Sequence, residues 1–173
     1  MSRFPPMLML ALAAMMTPAA VAAQSDDAIA SVTVTAGGDV TVVNTAGLAF
    51  GTYSSGFMVH SSDVPTAASW NLSFTDPGDY AITFTLPNQL VDVALTGLTV
   101  PISYGPTSAH SPGLPIPFDP ATGIGVHTDG PTSADILLGA DMQGDGTGDV
   151  SVNLLGAAAG TYQATITLTV API

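Results

Sequence analysis

Three aspartates, Asp141, Asp145 and Asp149, stand four residues apart among glycines in the segment GADMQGDGTGD, residues 139–149. Such a density of carboxylates suggests a calcium loop, because Ca²⁺ binds roughly six to eight oxygen ligands. The helical calcium hand places its ligands at alternate positions and ends on a glutamate, and this chain has no glutamate. Glycines on both sides of Asp145 favour a tight turn instead. These aspartates are therefore the candidate metal ligands, for calcium, with a ligand-free turn as the alternative, and we expect no other cofactor.

The remaining residues that could do chemistry form no catalytic pattern. His60, His110 and His127 lack the short spacing of zinc ligands, and the chain has no cysteine. The Ser-Ser-Gly run at 54–56 is not the Gly-x-Ser-x-Gly elbow of a hydrolase nucleophile. We therefore predict that the protein is not an enzyme, and that each histidine lies in a loop or an edge strand.

The N-terminus has the order of regions of a secretory signal peptide. Arg3 precedes an apolar run, and small residues follow, ending in Val-Ala-Ala at 21–23. The apolar run is shorter than the roughly 20 residues that cross a bilayer. We predict a cleaved signal peptide over residues 1–23, with cleavage after Ala22 as the alternative. The mature chain, residues 24–173, is then one domain in the periplasm, on the cell surface or outside the cell, with no membrane insertion.

The charge of the chain excludes two classes of partner. All 13 acidic residues are aspartates and Arg3 is the only lysine or arginine, so losing Arg3 changes the formal charge from −12 to −13. Nucleic acids and anionic membranes are bound through lysine and arginine, so neither is expected as a partner. Because cysteine is absent, we expect apolar burial and backbone pairing to hold the fold without disulfides.

Alternation of apolar and polar residues predicts strands along the whole mature chain. The clearest pattern covers residues 67–86, where an Asp-Pro-Gly-Asp turn separates two alternating stretches that we interpret as a β-hairpin. A second clear strand runs from Tyr162 to Val170, with threonines on its other face. Further strands are predicted at 29–35, 39–44, 46–53, 56–60, 90–95, 97–104, 134–138 and 148–155. Many short strands with turn residues between them predict an all-β sandwich.

One stretch interrupts this rhythm. Residues 105–131 contain six prolines and five glycines, and proline is excluded from central strands. We predict a long surface loop with one edge strand around Ile124 to His127. Long irregular loops are often functional, so the loop is either a binding element or a tolerated insertion.

Tyr162 follows the small-residue run that ends in Gly160 and Thr161. In Greek-key sandwiches, a tyrosine at the start of a late strand can donate a hydrogen bond to the backbone of the preceding corner. We interpret Tyr162 as such a corner residue, with an ordinary buried tyrosine as the alternative.

Three segments carry a resemblance to a known family. ASVTVTAGGDVTVVNTAGLAFGTY (30–53), YAITFTLP (80–87) and AAAGTYQATITLTV (157–170) resemble domain-of-unknown-function family 4402 of bacteria. They are more distantly similar to spore-coat-U and archaic chaperone–usher pilin subunits. The strongest anchors are Leu-Ala-Phe-Gly at 48–51 and Gly-Thr-Tyr at 160–162.

The resemblance implies an immunoglobulin-like Greek-key β-sandwich of antiparallel strands, exported from the cell. The related pilins polymerise by donor-strand exchange, in which the N-terminal extension of one subunit completes its neighbour. Residues 28–36 fit this role, because small apolar residues alternate there near the start of the mature chain. A strand with an apolar face must dock in a sheet, either that of its own domain or that of another copy.

The sequence therefore predicts an exported, non-enzymatic structural or adhesive cell-surface protein, such as a fimbria-like subunit that polymerises by strand exchange. Its partners are then copies of itself or other surface subunits, bound by β-strand pairing. The alternative is a monomeric secreted binding module for calcium or a glycan, which would use residues 105–131 and the turn from Asp141 to Asp149.

Overall fold

The computed structural model describes residues 24–34, 40–61, 67–94, 97–112, 117–139 and 150–173, with only the backbone described for 24–34. Within these ranges the chain forms strands and no α-helix, which confirms the predicted all-β class. The predicted signal peptide, residues 1–23, lies outside the described residues.

Most of the described strands follow the predicted ones closely in position, but the strand at Ala109–His110 was not predicted and the first strand begins at Gln24 rather than at residue 29. The described strands are β1 (Gln24–Val34), β2 (Val40–Ala46), β3 (Leu48–Tyr53), β4 (Met58–His60), β5 (Ala68–Phe74), β6 (Gly78–Thr85), β7 (Gln89–Asp92), β8 (Thr99–Tyr104), β9 (Ala109–His110), β10 (Ile124–Thr128), β11 (Thr132–Leu138), β12 (Val150–Asn153) and β13 (Thr161–Pro172). The predicted strand at 28–36 thus corresponds to the second part of β1, although residues 35 and 36 are outside the described ranges.

These strands form two sheets. The first sheet has the order β10-β6-β13-β7-β8-β12-β4, with β1 beside β13 and β3 beside β1. The second sheet has the order β2-β5-β11-β9. The pairings between the described strands are antiparallel except that of β1 with β13, which is parallel. The predicted sandwich of antiparallel strands is confirmed, and the parallel pair of β1 and β13 is its one exception.

The core lies between the two sheets, where apolar residues from alternate strand positions meet. Trp70 of β5 has no exposed surface, and its ring meets Phe84 of β6 edge-on, with centroids 5.5 Å apart and planes at 68°. Leu72 from the second sheet and Leu168 from the first are also fully buried. Each such side chain stabilises the fold by about 1.5–3 kcal/mol, so apolar burial is the main stabilising force in a chain without disulfides.

The predicted β-hairpin over residues 67–86 is wrong in its pairing, although both of its strands exist. β5 pairs with β2 and β11, whereas β6 pairs with β13 and β10. Residues 75–77 therefore cross from the second sheet to the first. The physical reason is that Leu72 and Ile82 are both buried and belong to opposite walls of one core, and alternation alone does not tell facing strands from paired ones.

The proline-rich segment 105–131 is attached to both sheets. β9 pairs with β11 in the second sheet, and Phe118 exchanges two backbone hydrogen bonds with Ala109 at 2.7 and 3.2 Å. The predicted edge strand around Ile124 to His127 is β10, which pairs with β6 at the end of the first sheet. The described part of this segment is thus largely built into the sandwich.

The corner interpretation of Tyr162 is confirmed. Its side chain is 1% exposed, and its hydroxyl donates a 2.9 Å hydrogen bond to the carbonyl oxygen of Ala158, four residues earlier. Gly160 is required at this corner, because a Cβ there would lie 2.9 Å from Cγ of the buried Asp92. The bond and the missing side chain together fix the start of β13.

Candidate functional site

The predicted metal ligands cannot be placed. Asp141, Asp145 and Asp149 all lie outside the described residues. Among the residues that the structure describes, no group of three or more histidine or aspartate side chains could hold a metal ion. In the same part of the chain, no helix has the length and apolar character to cross a membrane.

The most extensive interaction of the N-terminal segment is its backbone pairing with the last strand. β1 runs parallel to β13 over ten residue pairs, from Ser25 opposite Thr161 to Val34 opposite Val170. Parallel strands lie about 4.8 Å apart and pair through evenly spaced main-chain hydrogen bonds. The pairing therefore depends on the backbone and on register more than on charged side chains.

The start of β1 is held on its other side by β3. Gln24 to Ala28 pair antiparallel with β3, and the register shifts by one residue between Asp26 and Asp27. The shift forms a bulge at which Gly51 adopts a φ of 82°, a conformation that other residues rarely adopt. The anchor sequence Leu-Ala-Phe-Gly thus has a structural role, since Leu48 and Phe50 are fully buried and the glycine allows the bulge.

We call the place that β1 occupies the β1 slot. It is defined by the edge of β13 from Thr161 to Val170 and by the paired edge of β3. The opposite edge of β13 is already paired with β6 and β7. Tyr162, Ile166, Leu168 and Val170 anchor β13 to the core and are at most 1% exposed. Removing β1 would therefore leave an anchored strand with one unpaired edge, which is the type of edge that accepts an added strand.

Both ends of the segment that joins β1 to β2 lie at one end of the sandwich. Val34 pairs with Val170, which pairs on its other side with Ile82 of β6. Val40 pairs with Phe74, the last residue of β5, and only residues 75–77 separate Phe74 from β6. We call this end the linker end, defined by Val34, Val40, Phe74 and Val170.

The linker end also carries a histidine between two carboxylates. Nδ1 of His127 lies 2.7 Å from Oδ1 of Asp79, and its Nε2 lies 3.1 Å from Oδ1 of Asp129. The side chain of His127 is 62% exposed. Hydrogen bonds to Asp79 and then to Asp129, with their negative charges, raise the pKa of His127. Only imidazolium donates from both ring nitrogens, so His127 donates both hydrogen bonds when it is protonated.

A small cavity of about 260 Å³ opens beside this histidine. Its floor includes Phe74 and Ile82, which are 3% and 1% exposed, and its rim includes Thr132 and Ser133. Two further depressions, of about 370 and 450 Å³, also adjoin His127.

Sequence reasoning missed the Asp79–His127–Asp129 cluster. His127 and Asp129 are two positions apart, so an extended segment places both side chains on one face. This spacing could have identified the pair from the sequence. Asp79 joins them only because β6 pairs with β10 in the register that puts it opposite His127. Nothing in the sequence specifies that pairing, since the two residues are 48 positions apart.

No protein-family model matches the chain, and no curated protein matches it either.

Proposed function

We propose that this protein is an exported, non-enzymatic structural or adhesive subunit of the cell surface, whose copies associate by exchanging the N-terminal strand β1. The sequence contributes the signal-peptide pattern and the absence of a catalytic constellation. The strand pairing contributes the means of association.

The observation that carries the proposal is the parallel pairing of β1 with β13 over ten residue pairs. Once the predicted signal peptide is removed, β1 is a terminal strand, tethered to its domain by one linker of five residues, 35–39. A terminal strand can leave its slot and enter the same slot of another copy without breaking any other pairing. The exchanged strand makes the same backbone bonds in either copy.

The charge of the mature chain is compatible with this mode of association. Strand addition uses main-chain donors and acceptors, so it needs no lysine or arginine. Such bonds also persist where surface ion pairs would be screened by salt. Assemblies closed in this way are expected to resist detergent better than assemblies held by surface contacts alone.

Proline substitution in β1 tests the proposal. Ala30→Pro/Ser31→Pro removes two adjacent backbone N–H groups, and one of them faces β13 because donors alternate between the two edges of a strand. The mature protein should form detergent-resistant assemblies at high concentration, and the variant should lose them. Gel electrophoresis without boiling, together with size-exclusion chromatography, measures this loss.

The matched control substitutes the same two positions but keeps their backbone N–H groups. Ala30→Val/Ser31→Thr introduces residues that favour strands and retain their N–H groups. This control should assemble as the parent does. Assemblies that survive unchanged in the proline variant, or a parent that is monomeric at every concentration, would contradict strand exchange.

A further inference from the structure

We propose that strand exchange in this protein closes on itself, so that two copies each fill the β1 slot of the other and form a two-fold dimer rather than an open polymer. This inference rests on the proposed function and specifies its partner, a second copy of the same chain.

The linker between β1 and β2 has a short reach. Five residues, 35–39, separate Val34 from Val40, and six backbone steps extend over at most about 20 Å. β1 itself is about 33 Å long, from the rise of a strand residue. An exchanged strand therefore keeps its own domain close to the end of the slot at which Val34 lies.

The end of the slot at which Val34 lies is the linker end. When one copy donates β1, its Val34 pairs with Val170 of the acceptor, in the same register that β1 has within a single chain. Its Val40 then lies within about 20 Å of that point, so the linker ends of donor and acceptor face each other.

The acceptor's own β1, once displaced, can reach the vacant slot of the donor. It leaves from the acceptor's linker end, because its own Val40 remains paired with Phe74 there. The vacant slot of the donor opens at the donor's linker end, directly opposite. Reciprocal insertion fills both slots with the same interactions, which is the arrangement of a closed two-fold interface.

An open polymer would require a different geometry. One linker end would need two other linker ends within about 20 Å, one from the copy that donates to it and one from the copy that receives its strand. Open chains form easily when the slot and the exit of the donated strand lie at opposite ends of the subunit. Here the registers put both at the same end.

A pair of engineered cysteines distinguishes the outcomes in one experiment. The chain has no cysteine, and Ala28 pairs with Ala164 in the parallel register. Adjacent strands lie about 4.8 Å apart, which is within the roughly 4.4–6.8 Å that separates disulfide-bonded Cα atoms. Ala28→Cys/Ala164→Cys in the mature chain, concentrated and then oxidised, is analysed by non-reducing denaturing electrophoresis.

We expect a covalent dimer with no larger species. A ladder of trimers and longer chains would overturn the closed dimer and leave strand exchange intact. Oxidised monomer alone would overturn strand exchange itself, and the proposed function with it. Ala28→Cys/Ala134→Cys is the control, because Ala134 pairs with Leu72 in the second sheet and should give no registered cross-link.

Shortening the linker provides the second variant. Deleting residues 35–38 leaves only Asp39 between Val34 and Val40. When β1 occupies the slot of its own domain, it runs antiparallel to the later strand β3, with Leu48 opposite Ala28. The chain must therefore reverse direction after Val34. Because a reversal needs about two residues or more, the shortened chain should be dimeric at every concentration. A stable monomer of this variant in sedimentation analysis would overturn the closed dimer.

Discussion

Tyr162 and Tyr104 illustrate opposite uses of a hydroxyl group. The hydroxyl of Tyr162 donates to the carbonyl of Ala158 at 2.9 Å. The hydroxyl of Tyr104 is buried without a hydrogen-bond partner among the described residues, and its burial raises the pKa of Tyr104. The two residues provide a matched comparison, because the same substitution removes one oxygen atom from each.

Tyr162→Phe should lower the free energy of unfolding by roughly 0.5–1.5 kcal/mol, the usual net contribution of a hydrogen bond. Tyr104→Phe should leave it unchanged or raise it slightly, because it removes a polar group that is not satisfied. Urea unfolding followed by tryptophan fluorescence measures both, since Trp70 is the only tryptophan. Equal losses in the two variants would show that Tyr162 does not act as a corner residue.

His127 should make stability depend on pH. Its bonds to Asp79 and Asp129 raise its pKa above the ordinary 6.5 in the folded state. Folding therefore favours the protonated form of His127. The stabilisation is fully present below the ordinary pKa of 6.5, and it is lost as the pH rises through the higher pKa of the folded state. The side chain is exposed, so solvent screening keeps the effect small.

The measurement compares the parent with His127→Gln by urea unfolding between about pH 5 and about pH 9, the range that spans histidine titration. The parent should be the more stable at the acid end, and the difference should shrink towards the alkaline end. Burial lowers the pKa of His110, so its effect on the pH dependence of stability is opposite to that of His127. Both proteins contain His110, and subtracting one stability curve from the other removes its contribution. A difference that does not vary with pH would contradict the ion pairs of His127.

At the scale of the strands, the sequence predicted positions far better than partners. Alternation located β5 and β6 because Trp70, Leu72 and Ile82 each face the core. It could not show that the two strands belong to different sheets, since a turn of three residues can join paired strands or cross between facing ones. The parallel docking of β1 was equally hidden, because it depends on the backbone of a strand more than 130 residues away.

The candidate site followed the same division. The strand at 28–36 could be recognised from small alternating residues at the start of the mature chain, and most of it lies in β1. The β1 slot could not be recognised from the sequence, because only the fold brings β3 and β13 to the two sides of β1. The candidate calcium ligands Asp141, Asp145 and Asp149 remain a prediction from the sequence.

For the whole molecule, charge should govern how readily copies associate. Without the predicted signal peptide, the formal charge of the chain is −13. The linker end bears Asp79 and Asp129 on His127, and the carbonyl of Asp76 accepts a hydrogen bond from the neighbouring Thr128. Two such ends repel each other over about 10 Å at 0.1 M salt, and less at higher salt. The dimer fraction at fixed protein concentration should therefore rise as sodium chloride is added, as sedimentation equilibrium can measure. A dimer that weakens with added salt would mean that attraction between charges holds it.

Hydrogen exchange at β13 tests most directly whether another molecule can supply β1. In Thr161–Val170, the backbone amides that face β1 should exchange faster in a chain that begins at Val40 than in a chain that begins at Gln24, because their strand partner is missing. Adding a peptide of residues 24–34 should restore slow exchange there, and the same peptide with Ala30→Pro/Ser31→Pro should not. Equally slow exchange with and without β1, or no effect of the unaltered peptide, would contradict the supply of this strand from a second chain.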